Sequence, residues 1–214
     1  MSINSQKKFL NTNRRNCIRC GTCCQKGGPA LHKADRKLVL NGHLKPIDLV
    51  TFRTGEPAVN PYQKTIIELP CEMIKIAGVT DTSWQCRFYS KDQSACLIYK
   101  YRPLECKTLK CWEPEEVAAL FLKDMLSRSD LIPPQNPIWE IITAYEKTFS
   151  ISLITTISRE AASGIKEATQ ELKKMEKLDI QFRNKVASTF DLTIPSLNFF
   201  LGRPIHSLIG SFMG

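Results

Sequence analysis

The sequence predicts an α+β protein: a cysteine-rich core of loops, short helices and short strands, followed by a mainly helical C-terminal half. Three observations carry this expectation. Four thiols crowd into Cys17-Ile18-Arg19-Cys20-Gly21-Thr22-Cys23-Cys24, and a looser set follows at Cys86, Cys96, Cys106 and Cys111. Short β-branched runs lie between the two sets, punctuated by proline and glycine. After Trp112 the apolar residues recur at three and four, the period of a helix with one buried face.

At 214 residues with 43% hydrophobic content, the chain is long enough for a proper core, and one body is expected rather than two independent modules. Four regions are expected: a basic arm over 1–16, a cysteine-cluster region over 17–112, a helical region over 113–189 packed on it, and an apolar tail over 190–214. The arm is polar and basic, reads neither as a secretory signal nor as a membrane anchor, and is taken as a solvated tail in preference to a nucleic-acid contact. No stretch reaches the roughly eighteen apolar residues of a spanning helix. Nine cysteines without a secretion signal argue against a disulfide framework and for a reduced, cytoplasmic setting in which clustered thiols bind metal. The net charge of +9 counts those thiols as neutral, so bound metal would lower it and weaken the case for nucleic acid.

Taken in order, Cys17 to Cys24 is expected as loop, because Gly21 interrupts it and the sulfurs must converge on a centre. A glycine-rich turn follows. His32 is the best nitrogen ligand outside the cysteines, although a surface histidine is the preferred reading of it and of His43. Pro46 to Phe52 is a short helix candidate with proline in its first turn and Gly55 as the stop. Thr65–Leu69 and Met73–Ala77 read as strands, and Cys71 between them reads as a buried free thiol before it reads as a ligand. A hairpin or pair of turns around Ser90–Ser94 would present Cys86 and Cys96 together. Arg102-Pro103 forces extended backbone before a helical turn at Leu104–Cys106.

Beyond Trp112, Glu113-Pro114-Glu115-Glu116 opens a helix with an apolar stripe of Val117, Leu120, Phe121 and Met125. Asn136-Pro137 opens another, buried through Ile138, Ile141, Ile142, Tyr145 and Phe149. Ile151–Ile157 is compatible with strand or helix. Ser158 to about Val186 is helical, with Ile165, Ala168, Leu172, Met175 and Leu178 as its core stripe. The tail, broken by Pro195, Gly202, Pro204 and Gly210, is apolar enough to close over the core, cover the metal region or meet a protein partner, while its short helices are too weakly basic to favour contact with a membrane.

The chemistry lies in the cysteines. Two intervening residues let two sulfurs face one centre, and this spacing occurs twice, at 17/20 and 20/23. Neighbouring side chains diverge, so Cys23 and Cys24 are candidates to serve different metals. Eight thiols suffice for two four-thiolate sites. The bacterial ferredoxin run matches in its first three cysteines and fails at the fourth, while an all-thiolate set suits zinc as well. No Walker motif, GxGxxG, HExxH or serine-nucleophile elbow occurs.

Cys17, Cys20, Cys23 and Cys24, with Cys96-Leu97-Ile98-Tyr99-Lys100-Tyr101-Arg102-Pro103-Leu104-Glu105-Cys106, resemble the CxxCxxCC and C-x-I-Y-x-x-R-P-x-x-C signatures of the YkgJ-type cysteine-cluster family. Cys86 corresponds to that family's upstream cysteine. Lys107 stands where the family commonly has arginine, and the turn before Cys96 lacks the usual glycine. The resemblance covers roughly residues 15–112 and implies zinc or iron chelation. Metal ligands are then expected at Cys17, Cys20, Cys23, Cys24, Cys86, Cys96, Cys106 and Cys111, in one or two centres, with Tyr99 and Arg102 supporting the cofactor. An iron–sulfur cluster is preferred to zinc, in an electron-transfer, accessory or maturation role. Through the same signature the family resembles enzymes that methylate flagellin lysines, so a cluster-dependent protein-modifying enzyme is one alternative. A zinc-stabilised adaptor is the other.

Overall fold

In the computed structural model, residues 17–80 and 83–210 are described, so the expected basic arm and the last four residues of the tail lie outside them. The first half is assembled from small pieces. Helices α1 (Thr22–Lys26) and α2 (Arg36–Leu40) precede strands β1 (Leu49–Phe52), β2 (Pro57–Val59), β3 (Ile66–Glu68), β4 (Met73–Ile76), β5 (Gly78–Thr80), β6 (Ser83–Cys86), β7 (Tyr89–Ser90) and β8 (Ala95–Cys96). The strands pair as β1–β4, β2–β3, β5–β6 and β7–β8, all antiparallel. Two-stranded ladders are marginal alone, so these depend on what covers them.

The cover comes from the second half: α3 (Leu104–Thr108), α4 (Glu115–Ala118), α5 (Ile138–Thr148), α6 (Ile151–Ala162), α7 (Lys166–Phe190), α8 (Leu197–Phe200) and α9 (Ile205–Ile209). Leu49 and Ile74 from the ladders share one buried cluster with Tyr145, Ile154, Leu172, Leu197, Phe199, Leu201 and Leu208. The α+β class and the mainly helical second half stand as the sequence predicts. No helix among the described residues is long and apolar enough to cross a membrane.

Several elements differ from expectation for identifiable reasons. Pro46–Asp48 makes only one 3-10 turn, closed by the Asp48 carboxylate accepting from Lys45 N at 2.9 Å. The chain then extends, because Leu49-Val50-Thr51-Phe52 suits a strand and finds β4 in register, Leu49 opposite Ile76. Helix α4 stops at Ala118, since Leu122 and Asp124 take positive φ, yet Val117 and Met125 are still buried. The ambiguous run from Ile151 is helix, started by Ser150 Oγ accepting from Leu153 N at 3.3 Å.

The long helix expected from Ser158 is broken at Gly164 (φ +92°) into α6 and α7. On α7 the buried stripe is Ala168, Leu172, Met175, Asp179, Arg183 and Val186, whereas Leu178 is 52% exposed and Ile165 43%. The two charges are tolerated inside because they are paired. Asp179 Oδ1 accepts from Arg183 Nε at 2.7 Å and from Tyr145 Oη at 2.8 Å, and Oδ2 accepts from Ile205 N at 2.9 Å. Arg183 Nη2 donates to Tyr145 Oη and to the Gly202 carbonyl.

Burial pushes Tyr145 up to about 12. Because its folded value exceeds the ordinary tyrosine value near 10, the stabilisation it contributes is complete below that value and is lost as pH rises through about 12. Spectrophotometric titration is expected to find Tyr145 the last of the five tyrosines to ionise, with cooperative unfolding as it does so. Tyr145→Phe should remove that late step.

Candidate metal centre

The first thiol run is bent by two unusual residues. Arg19 takes φ +57°, and Gly21 takes φ +76° with the Tyr89 ring so close that a Cβ would stand 2.1 Å from its hydroxyl oxygen. Only glycine fits there. The chain then turns directly into α1, so Cys23 and Cys24 sit on a short helix and the all-loop expectation is corrected. Gly21 ends the loop early enough for a helical turn to form after it.

Helix α1 packs against β6, which carries Cys86, 7% exposed. Cys24 packs onto the same core. Cys96 is brought in by the β7–β8 hairpin, where it pairs with Tyr89, the residue that covers Gly21. Ser94 occupies the left-handed region (φ +46°) in the connecting turn, the place where the absent glycine would be easiest. Cys106 rides on α3, whose first N–H, from Leu104, donates to Asp35 Oδ1 at 2.8 Å.

The thiols of Cys17, Cys23, Cys24, Cys86, Cys96 and Cys106 thereby lie in one another's electrostatic field. Cys23 is brought down to about 6, chiefly because the Cys24 thiol donates to it, and Cys24 is held up by the same bond. Burial pushes Cys86, Cys96 and Cys106 up, and neighbouring sulfurs push the same way. Cys20 faces solvent with its sulfur 3.3 Å from Thr22 Oγ1, and Cys111 is exposed beyond α3. Among the described residues, no three histidine, cysteine, aspartate or glutamate side chains stand in a metal-holding arrangement. The sulfurs gather but do not close on a centre.

Tyr99 and Arg102 join the two motif segments. The Arg102 guanidinium lies 3.6 Å over the Tyr99 ring and donates from Nε to the Tyr99 carbonyl at 2.9 Å, while Arg19 of the first segment lies 4.2 Å over the same ring. The charge of Arg102 also favours the Cys96 thiolate.

The pattern of the CxxCxxCC family, described as a "putative zinc- or iron-chelating domain", matches residues 16–123, just over half of the chain. The chain belongs to this family. No curated protein and no solved structure matches it.

All nine cysteines fall inside the CxxCxxCC segment, and so do three supporting residues that spacing alone does not reveal. Asp35 accepts from His32 N at 3.1 Å as well as from Leu104 N, tying the stretch after the first motif to the helix bearing Cys106. Glu105 accepts from Ala30 N at 2.9 Å and stands 3.5 Å from His32 Nε2. Arg19 is the third. The one local signal is Asp35 three residues after His32, the spacing of a turn cap.

His32 is 2% exposed, which corrects the surface reading, and its Nδ1 donates to the Lys123 carbonyl at 2.7 Å. Both ring nitrogens therefore face partners already. His43 stacks on Tyr101 with ring centroids 3.7 Å apart. Cys71 is half-buried on a separate apolar cluster with Phe52, Leu69, Met73 and Met125.

Proposed function

We propose that this protein binds metal through Cys17, Cys20, Cys23, Cys24, Cys86, Cys96, Cys106 and Cys111, and that the occupant is an iron–sulfur centre rather than zinc. The observation that carries the reading is the gathering of six of these thiols from three separate stretches of chain. The donor set fits such a group in kind: it is all sulfur, and the nearest buried imidazole, His32, is engaged elsewhere. Cys17, Cys20 and Cys23 have the spacing of the first three ligands of a bacterial ferredoxin loop, which favours iron, and more than four thiols leave room for a second centre.

An iron–sulfur centre would supply one-electron chemistry in an electron-transfer, accessory or maturation role. This chain's own residues would shelter it and offset its charge: buried Cys86 and half-buried Cys106 on one side, Arg102 and Arg19 beside Tyr99 from the rim. Nine cysteines, none of them in a disulfide among the described residues, suit a reducing compartment, and on that ground we place the protein in the cytoplasm. A partner would find exposed apolar contacts at Leu178 and Ile180 on α7.

Protein purified without oxygen is expected to be brown, with broad visible absorption, iron and acid-labile sulfide. Colourless protein holding stoichiometric zinc and no sulfide would overturn the choice of iron while leaving the thiol site in place.

A further inference from the structure

The thiols open onto a face with two properties that rarely occur together. The contact of Arg19 with the Tyr99 ring sets Cys17-Ile18-Arg19 beside the segment from Cys96 to Arg102, and Cys17 and Cys96 feel one another's charge. Ile18, which follows Cys17, is 66% exposed, and Leu97, which follows Cys96, is 61% exposed. Tyr101, stacked on His43, adds an exposed aromatic edge. Apolar side chains gathered in the open mark a surface that another molecule covers.

The charge around them is of one sign. Arg19 and Arg102 share the Tyr99 ring, and the Lys100 ammonium lies 5.7 Å from the centre of the Tyr101 ring. Among the described residues none of these three cations is paired with a carboxylate, whereas Arg87, Lys110 and Arg159 are paired with Asp48, Glu116 and Glu68. The imbalance is broad: residues 17–112 carry fifteen lysine and arginine side chains against eight aspartate and glutamate, and residues 113–214 carry eleven against thirteen. Each four-thiolate centre with a divalent core would remove about two charges, so even two centres lower that excess without reversing its sign. Cations left unpaired around an apolar spot steer and hold an acidic surface. Aliphatic tips in the middle favour protein over nucleic acid, whose bases and phosphates would use the cations and the aromatic ring but leave Ile18 and Leu97 without a partner.

We propose that the face formed by Ile18, Arg19, Leu97, Lys100 and Tyr101 docks an acidic protein, one that presents carboxylates around an apolar spot, directly over the thiols. The inference rests on the thiols holding a metal centre, which is what such a partner would reach.

The test is binding of the full, metal-loaded chain to a fluorescent peptide of Glu-Glu-Leu-Glu repeats, with oligothymidylate of equal length as the comparison, read by anisotropy. The peptide should bind saturably, weaken about tenfold or more from low to physiological salt, and protect residues 96–102 from hydrogen exchange. Lys100→Glu should weaken it about tenfold, and Lys185→Glu, the same charge change on α7, by no more than about twofold. Leu97→Ser should weaken it about threefold through the lost apolar contact. Leu97 and Lys100 are exposed, so metal content, measured in the same samples, should not change. Absence of saturable peptide binding, equal losses in Lys100→Glu and Lys185→Glu, unaltered binding in Leu97→Ser, or oligothymidylate binding as tight as the peptide's each overturns the proposal. Zinc-loaded protein that binds the peptide at this face overturns the choice of iron alone, and iron–sulfur protein that does not bind it overturns the docking surface alone.

Discussion

Serine in place of Cys23, Cys86, Cys96 or Cys106 is expected to strip the metal from the protein and loosen the fold of its first half. These four residues lie on α1, β6, β8 and α3, elements that are each too short to persist alone. Metal bound across them is folding free energy, roughly 10 kcal/mol or more in structural zinc sites. Hydrogen exchange should show the loss over residues 17–111 while α5, α6 and α7 keep their protection. Cys71→Ser should retain full metal content, because that residue packs against the separate apolar cluster of Phe52, Leu69, Met73 and Met125 instead. Cys20→Ser and Cys111→Ser then report whether these two thiols, which stand apart from the gathered six, belong to the site. Unchanged metal and sulfide in both Cys23→Ser and Cys96→Ser would refute the ligand assignment.

Asp179→Ala is expected to destabilise the protein by about 3–5 kcal/mol, a fall in Tm on the order of 10 °C. The cost does not come from the attraction alone. Removing the carboxylate leaves Arg183, 4% exposed, as an uncompensated buried charge, and leaves Ile205 N and the Tyr145 hydroxyl without their acceptor. Asp179→Asn keeps the shape and should recover part of the loss. Lys174→Ala, which breaks an exposed pair with Glu171 on the same helix, should change stability by no more than about 0.5 kcal/mol. Thermal denaturation of the three variants compares them directly, and a loss at Asp179→Ala no larger than at Lys174→Ala would refute this account.

What sequence could reveal follows the range of the forces involved. The C-x2-C-x2-C-C run and the segment from Cys96 to Cys106 are local patterns, and so is the apolar period of α5, where Ile138, Ile142 and Tyr145 are buried. Strand β1 was hidden because its partner β4 lies more than twenty residues on, and proline at its entrance resembles a helix start. Asp179 and Arg183 are not legible as core residues, because a charged residue signals surface unless its partners, here Tyr145 and Ile205, are known. His32 was misplaced for the same reason: its buried contacts, Lys123 and Glu105, come from more than seventy positions away.

The closing of the core from residues 197–209 bears on how the chain matures during synthesis. The Phe199 carbonyl accepts from Thr51 Oγ1 at 2.6 Å, and Arg203 Nε meets Glu56 Oε2 at 3.0 Å, so the ladders of the first half wait for residues made long afterwards. The cysteine motifs leave the ribosome well before their shelter does. For that interval the thiols are open to solvent, and delivery of metal to the nascent chain competes with their oxidation.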